Sequence, residues 1–198
     1  MQMNKHSRGF EPAAPRGPMS DDEFMAFVEG RPDDERWQLI DGMPFFMNPA
    51  TNRHQLICLR LANLLNDGLE KKRPDLIALT ERGLLIPSVT RFRPTADVSV
   101  VVNDDGGSYT NVFYLAAEVL SPSNTEEHIA LKRKRYMAHP DNLCVIVIAQ
   151  DEVQVEVCLR ASNWEPKMLR SLRNVVSVPE LGVRFPLAGL YRGTPLAK

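Results

Sequence analysis

The sequence is poor in features that announce a function outright. It has three cysteines, Cys58, Cys144 and Cys158, an odd number with none of the C-x-x-C spacing that zinc and redox sites use. Each lies in an apolar-patterned segment, so they read as reduced core thiols. No apolar run approaches the ~18 residues of a membrane helix, and nothing near the start resembles a signal peptide. A soluble, cytoplasmic protein with no membrane partner is expected. Charge of one sign is missing too: 24 lysines and arginines against 25 aspartates and glutamates leave a net charge of −1. That provides no global positive field of the kind that draws nucleic acid. Internal repeats and low-complexity segments are also lacking, which sets aside solenoid and array architectures.

What is there suffices for one well-buried core: 198 residues, 43% hydrophobic and 25% charged. The opening "MQMNKHSRGFEPAAPRGPM" carries three prolines and no apolar periodicity. Residues 1–18 are therefore expected to be a disordered tail, with Met19 as an alternative natural start and residues 19–198 as a single domain. Ser20 with Glu23 forms a capping box for a short helix that Gly30 and Pro32 close. "WQLIDGMPFFM" reads as a hairpin turning at Asp41-Gly42, with Pro44 demoting its second strand to an edge.

The longest helical pattern runs from about Asn52 to Glu70, with His54, Ile57, Cys58, Leu61, Leu64 and Leu65 on one stripe. Strands follow at "LIALTER", "LLIP", "ADVSVVV" and "FYLAAEVL", the last two separated by a loop at Asp104, Asp105, Gly106 and Gly107. Ser123 with Glu126 is expected to cap a helix over 124–138 that Pro140 ends. "LCVIVIA" and "VQVEVCL" pair antiparallel across Gln150-Asp151, and one more short strand with a terminal helical turn closes the chain. The fold class is α/β or α+β, a central mixed sheet flanked by helices.

Alternation places Asp97 on one face of its strand with Ser99 and Val101, and Glu118 on one face of the next with Tyr114, Ala116 and Leu120. If the strands are neighbours, both carboxylates aim at one spot. An uncompensated carboxylate there costs several kcal/mol as a rough figure. A divalent metal resolves this for both at once; the alternative is that Asp97 binds a backbone amide and Glu118 pairs with an arginine. On the helix that follows, Ile129, Lys132 and Tyr136 share a stripe with Arg133 at its edge, which turns Lys132 toward the sheet while Lys134 and Arg135 fall away. Lys132 either serves those carboxylates or snorkels to water. The cations Arg91, Arg93 and Arg133 are either phosphate contacts or solvated surface.

The ordered motifs "MSDDEFMAF…WQLIDGMP…H…RPTADVSVV…AAEVLSPSN…LKRKRY" resemble the Uma-two family of restriction-endonuclease-like proteins, within the PD-(D/E)XK nuclease superfamily. The resemblance runs from about Met19 to the C-terminus. It implies an αβββαβ core carrying the added N-terminal helix and hairpin, with Asp97 and Glu118 as metal ligands, Mg²⁺ or Mn²⁺ as cofactor, and hydrolysis of DNA phosphodiester bonds. In the superfamily a lysine stands two residues after the second acid; Leu120 occupies that place, so the role passes to Lys132. The family's "ELIDG" glutamate is replaced by Gln38, which offers an oxygen but no charge. His54 matches a family histidine, either a proton carrier or phosphate ligand or a satisfied core histidine.

The expectation is a metal-dependent endonuclease using Asp97, Glu118, Lys132, Gln38 and His54, with DNA held by Arg91, Arg93 and Arg133, and homodimerisation as a way to cut both strands. The rivals are a catalytically degenerate nuclease-fold module that binds DNA or protein, and a metal-dependent hydrolase of a small phosphorylated substrate.

Overall fold

Local signals near the start fold as the sequence implies. In the computed structural model, which describes residues 15, 17–104, 106–121 and 125–197, the Ser20 side chain accepts from the Glu23 amide and the Glu23 carboxylate accepts from the Ser20 amide. This box starts α1 (Asp21–Glu29). The hairpin β1 (Trp37–Ile40) and β2 (Met43–Phe46) turns at Asp41 and Gly42, both at positive φ (50° and 82°). A two-residue turn of that kind matches the right-handed twist of its strands. Thr51 caps α2 (Asn52–Lys72) by accepting from the His54 amide. The expected tail falls largely on residues 1–14 and 16, outside the described residues.

The strands are β3 (Leu76–Leu84), β4 (Thr95–Val102), β5 (Tyr109–Thr110), β6 (Phe113–Val119), β7 (Cys144–Ile148), β8 (Val155–Leu159) and β9 (Pro166–Leu169), in sheet order β5-β3-β4-β6-β7-β8-β9. β4 runs antiparallel to both of its neighbours, β3 and β6, and β6 runs parallel to β7. A parallel pair needs a crossover, supplied by α3 (Glu126–Ala138). The αβββαβ order is thus α2, β3, β4, β6, α3, β7. A second hairpin, β10 (Val175–Val178) and β11 (Val183–Pro186), turns through Gly182 at φ 71° and leads into α4 (Leu187–Leu190).

Several expectations need correction. "LIALTER" and the following Leu84 form one strand, β3, because the ladder with β4 continues from Thr80 to Arg82 past Glu81, which takes a positive φ of 53°. Ser123 lies outside the described residues, and the Thr125 side chain is the N-cap of α3, accepting from the His128 amide. Asp105 of the expected loop is also outside the described residues. Two short strands, β5 and β9, lacked a periodic signal, and the terminal segment makes two strands rather than one. A register shift between Val100 and Val101 leaves Tyr114 as an extra residue in β6. This bulge flips the strand's alternation. Phe113, not Tyr114, therefore shares the Glu118 face, while Tyr114 packs on the other side.

One face of the sheet packs on α2 through Ile57, Leu61, Leu65 and Leu69 against Val98, Val100, Leu115 and Ala117. The other carries a smaller cluster with Tyr136 of α3, Phe113, Ala116 and Val145. The N-terminal unit packs through Phe24, Trp37 and Leu39. It is stitched to the segment before β4 by the paired amides and carbonyls of Leu39 and Arg93. Among the described residues no helix is long and apolar enough to cross a membrane.

Candidate active site

β4 and β6 carry Val98 opposite Ala117, and beyond that pair the Val119 amide of β6 donates to Asp97 of β4, so Asp97 and Glu118 come from neighbouring strands and line one pocket. Each carboxylate has its own donors. Asp97 Oδ2 accepts from the Val119 amide at 2.7 Å and lies 3.3 Å from His54 Nε2. Its Oδ1 has no hydrogen-bond partner among the described residues. Glu118 Oε2 accepts from Lys132 Nζ at 3.0 Å and Oε1 from the Tyr136 hydroxyl at 2.8 Å. Asp97 therefore binds a backbone amide through one of its two oxygens. Glu118 pairs with a lysine, not an arginine.

Lys132 does not snorkel. It is 4% exposed, and its ammonium donates to the Thr95 carbonyl (3.0 Å) as well as to Glu118, itself 3% exposed. Among the described residues these two acceptors take two of its three protons. Burial pushes the Glu118 carboxyl up, with Asp97's negative charge adding to the rise and Lys132 and Tyr136 opposing it; the result is about 7. Tyr136 is pushed well up by burial and by Glu118, so its hydroxyl stays protonated and donates.

His54 joins α2 to this cluster. Its Nε2 faces the Val119 carbonyl at 3.1 Å and Asp97, and its Nδ1 lies 3.5 Å from the Cys58 thiol. Two acceptors at Nε2 place the proton there, leaving Nδ1 of the neutral ring to accept from Cys58. Burial pulls the imidazole down, but the hydrogen bond and charge of Asp97, with help from the Val119 carbonyl and Glu118, outweigh it, and the net direction is up. The thiol–imidazole–carboxylate order is not a cysteine nucleophile. Burial drives the Cys58 thiol up, with Asp97 and Glu118 adding to the effect, so it holds its proton.

A pocket of about 770 Å³ opens onto this cluster and is lined by all five residues singled out as catalytic from the sequence, Gln38, His54, Asp97, Glu118 and Lys132. Gln38 Oε1 accepts from the Thr95 amide at 3.5 Å, the residue whose carbonyl holds Lys132. The three arginines singled out for DNA do not line the pocket. Arg93 pairs with Asp21 (3.1 Å) and Arg133 with Glu156, while Asp21 also accepts from the Arg91 amide. Arg36 lines the pocket instead, exposed and with no side-chain partner among the described residues. The sequence reading also passed over Glu81 on the pocket wall and the bond from Tyr136 to Glu118. Tyr136 stands one helical turn after Lys132, and that spacing was its available signal.

The cluster fits a hard divalent cation. Asp97 Oδ1 has no hydrogen-bond partner among the described residues, and Glu118 keeps lone pairs beyond its two bonds. Among the described residues no three His, Cys, Asp or Glu side chains converge as a metal cluster. An ion here would lean on two carboxylates and complete its shell with water and substrate oxygens, as magnesium does.

No curated protein matches the chain. Its fold is similar to a crystal structure described as that of "a putative nuclease belonging to DUF820 from Anabaena variabilis ATCC 29413", with a TM-score of 0.69 and 18% identity over 88% of this chain and 98% of that one. Residues 21–188, which hold every residue of the cluster, match the Uma2 family, described as "Putative restriction endonuclease", and the chain belongs to that family.

Proposed function

We propose that this protein is a divalent-metal-dependent endonuclease that hydrolyses phosphodiester bonds in DNA, with Mg²⁺ or Mn²⁺ held by Asp97 and Glu118. The observation that supports it most is the convergence of two carboxylates from adjacent strands and a buried lysine on one pocket. Such an ion, when bound, polarises the scissile phosphate and lowers the pKa of a water for in-line attack. Asp97 offers Oδ1 while the Val119 amide and His54 hold Oδ2 in place. Lys132 orients the attacking water or steadies charge that builds on the phosphate. Arg36 grips a neighbouring phosphate at the pocket, with affinity that falls as salt rises. Two copies about a two-fold axis would present one site to each strand.

The test is incubation of supercoiled plasmid, linear duplex and single strands with Mg²⁺ or Mn²⁺ at low salt, beside Asp97→Ala prepared identically. Cleavage that disappears in the variant and with chelator supports the proposal. Gln38, which spends its oxygen on the Thr95 amide and adds no charge, favours a second reading, a binding module without catalysis. That reading predicts DNA binding without cleavage in either metal, and Gln38→Glu then asks whether the missing charge is the cause.

A further inference from the structure

Glu118 is gripped at both oxygens by donors of different kinds. Lys132 and Tyr136 are four residues apart on α3, so their side chains lie one above the other on the face turned to the sheet. The lysine bonds Oε2 and the tyrosine bonds Oε1. The ammonium neutralises the carboxylate it touches, whereas the hydroxyl orients it and leaves its negative charge intact for a cation. The two donors also differ in how firmly they are held. Tyr136 has no exposed surface, and its ring meets Phe113 edge-on at 6.0 Å and 81°. Phe113 reaches that position through the bulge in β6 that leaves Tyr114 unpaired on the ladder. Its phenol oxygen, buried with the ring, has Glu118 as its hydrogen-bond partner. Lys132 by contrast sits on a flexible stem, lines the pocket and splits its bonds between Glu118 and the Thr95 carbonyl.

We infer that Tyr136 is a positioning residue that anchors Glu118 in its pocket-facing pose, so that Lys132 is free to leave the carboxylate and serve the substrate when a divalent cation takes its place. The inference rests on the metal-dependent reading above. It divides labour between two neighbours that look equivalent in the static structure: one is a permanent anchor, and the other is a cation that occupies Glu118 until a stronger one arrives.

The division predicts opposite behaviour of the two variants toward metal. Mn²⁺ binding to the full chain, without DNA, is measured by calorimetry and by the loss of the free-ion resonance signal at pH 8. Tyr136→Phe, which keeps the ring and its packing, should weaken Mn²⁺ by tenfold or more, the range seen when an outer partner of a metal ligand is removed. Lys132→Met, or Lys132→Gln if the first folds poorly, should bind Mn²⁺ as tightly as the wild type or more tightly, while cleavage is lost. In a Glu118→Gln background, Tyr136→Phe should produce no further change in Mn²⁺ affinity. Wild-type affinity in Tyr136→Phe overturns the anchor role and leaves the nuclease reading standing. Equal weakening in both single variants overturns the division of labour. A wild type that binds no Mn²⁺ brings down the metal-dependent reading and this inference with it.

Discussion

α2 and α3 cover opposite faces of the same sheet with different chemistry. α2 presents Ile57, Leu61, Leu65 and Leu69, each 1% exposed or less, to an apolar sheet face. Burying such a side chain contributes roughly 1.5–3 kcal/mol. α3 buries only two residues, Lys132 and Tyr136, and both end on Glu118. Removing an ammonium and a carboxylate from water costs several kcal/mol each as a rough figure, and their attraction offsets it only when geometry and additional hydrogen bonds are good. One face of the sheet is therefore where the fold stores stability, and the other is where it spends some on a charged cluster.

If that contrast holds, substitutions on the two faces should separate activity from stability. The largest effect is expected from Asp97→Asn. Losing an open ligand oxygen for a several-kcal/mol electrostatic contribution should slow plasmid cleavage by about a thousandfold, with little change in the melting curve. Leu65→Ala on α2 should do the reverse. It should lower the unfolding free energy by about 3 kcal/mol in urea titrations, with Mn²⁺ affinity and cleavage per folded molecule unchanged.

The third prediction uses pH. Glu118 stands at about 7 in the fold against an ordinary 4.5, so the native state holds more protons than the unfolded chain between those values. Stability is therefore highest below about pH 4.5 as far as this group is concerned, and falls as pH rises through the window. At roughly 1.4 kcal/mol per unit the loss is on the order of 3 kcal/mol. Glu118→Gln should flatten that slope in metal-free urea titrations. His54, whose net direction is also up, contributes with the same sign, and its stability is lost as pH rises above its ordinary 6.5. Slope left in the variant just above that pH belongs to the imidazole, before the buried thiols begin to titrate in the unfolded chain. An unchanged slope would mean that Glu118 is charged in the fold well below pH 7.

The smallest effect is expected at the pocket mouth. Arg36→Ala should weaken DNA binding by about 1 kcal/mol and reduce the salt slope by about one, leaving the single-turnover rate at saturating DNA unchanged. Arg133→Ala, whose guanidinium is already paired with Glu156, should alter the slope less.

The contrast between the faces also explains what could be read in advance. The α2 stripe was legible because apolar residues at helical spacing have one place to go, and the Asp41-Gly42 turn because few residues accept two consecutive positive φ angles. The juxtaposition of Asp97 and Glu118 followed from alternation along two strands, provided that those strands were neighbours. Tyr114 was misplaced for the same reason that the rest succeeded: a bulge breaks the period of two, and no composition signal marked it. The cap of α3 shifted to Thr125 because Ser and Thr are both good N-caps and two of them stand close together. Among the arginines, sequence pointed to Arg91, Arg93 and Arg133, but a charge's availability depends on what lies beside it, and Asp21 and Glu156 come from distant parts of the chain.

The amino-acid order alone determined which side chains share a side of each element, among them the buried stripe of α3 that carries Lys132, because periodicity dictates it, while the αβββαβ arrangement was what the family resemblance implied. Tertiary structure alone decided that Asp97 spends Oδ2 on the Val119 amide, that Glu118 is held at both oxygens with Tyr136 rather than a second cation completing the grip, and that Arg36 rather than Arg93 reaches the pocket. Hydrogen bonds and ion pairs are settled over a few ångströms between residues far apart in sequence, and no local pattern encodes that distance.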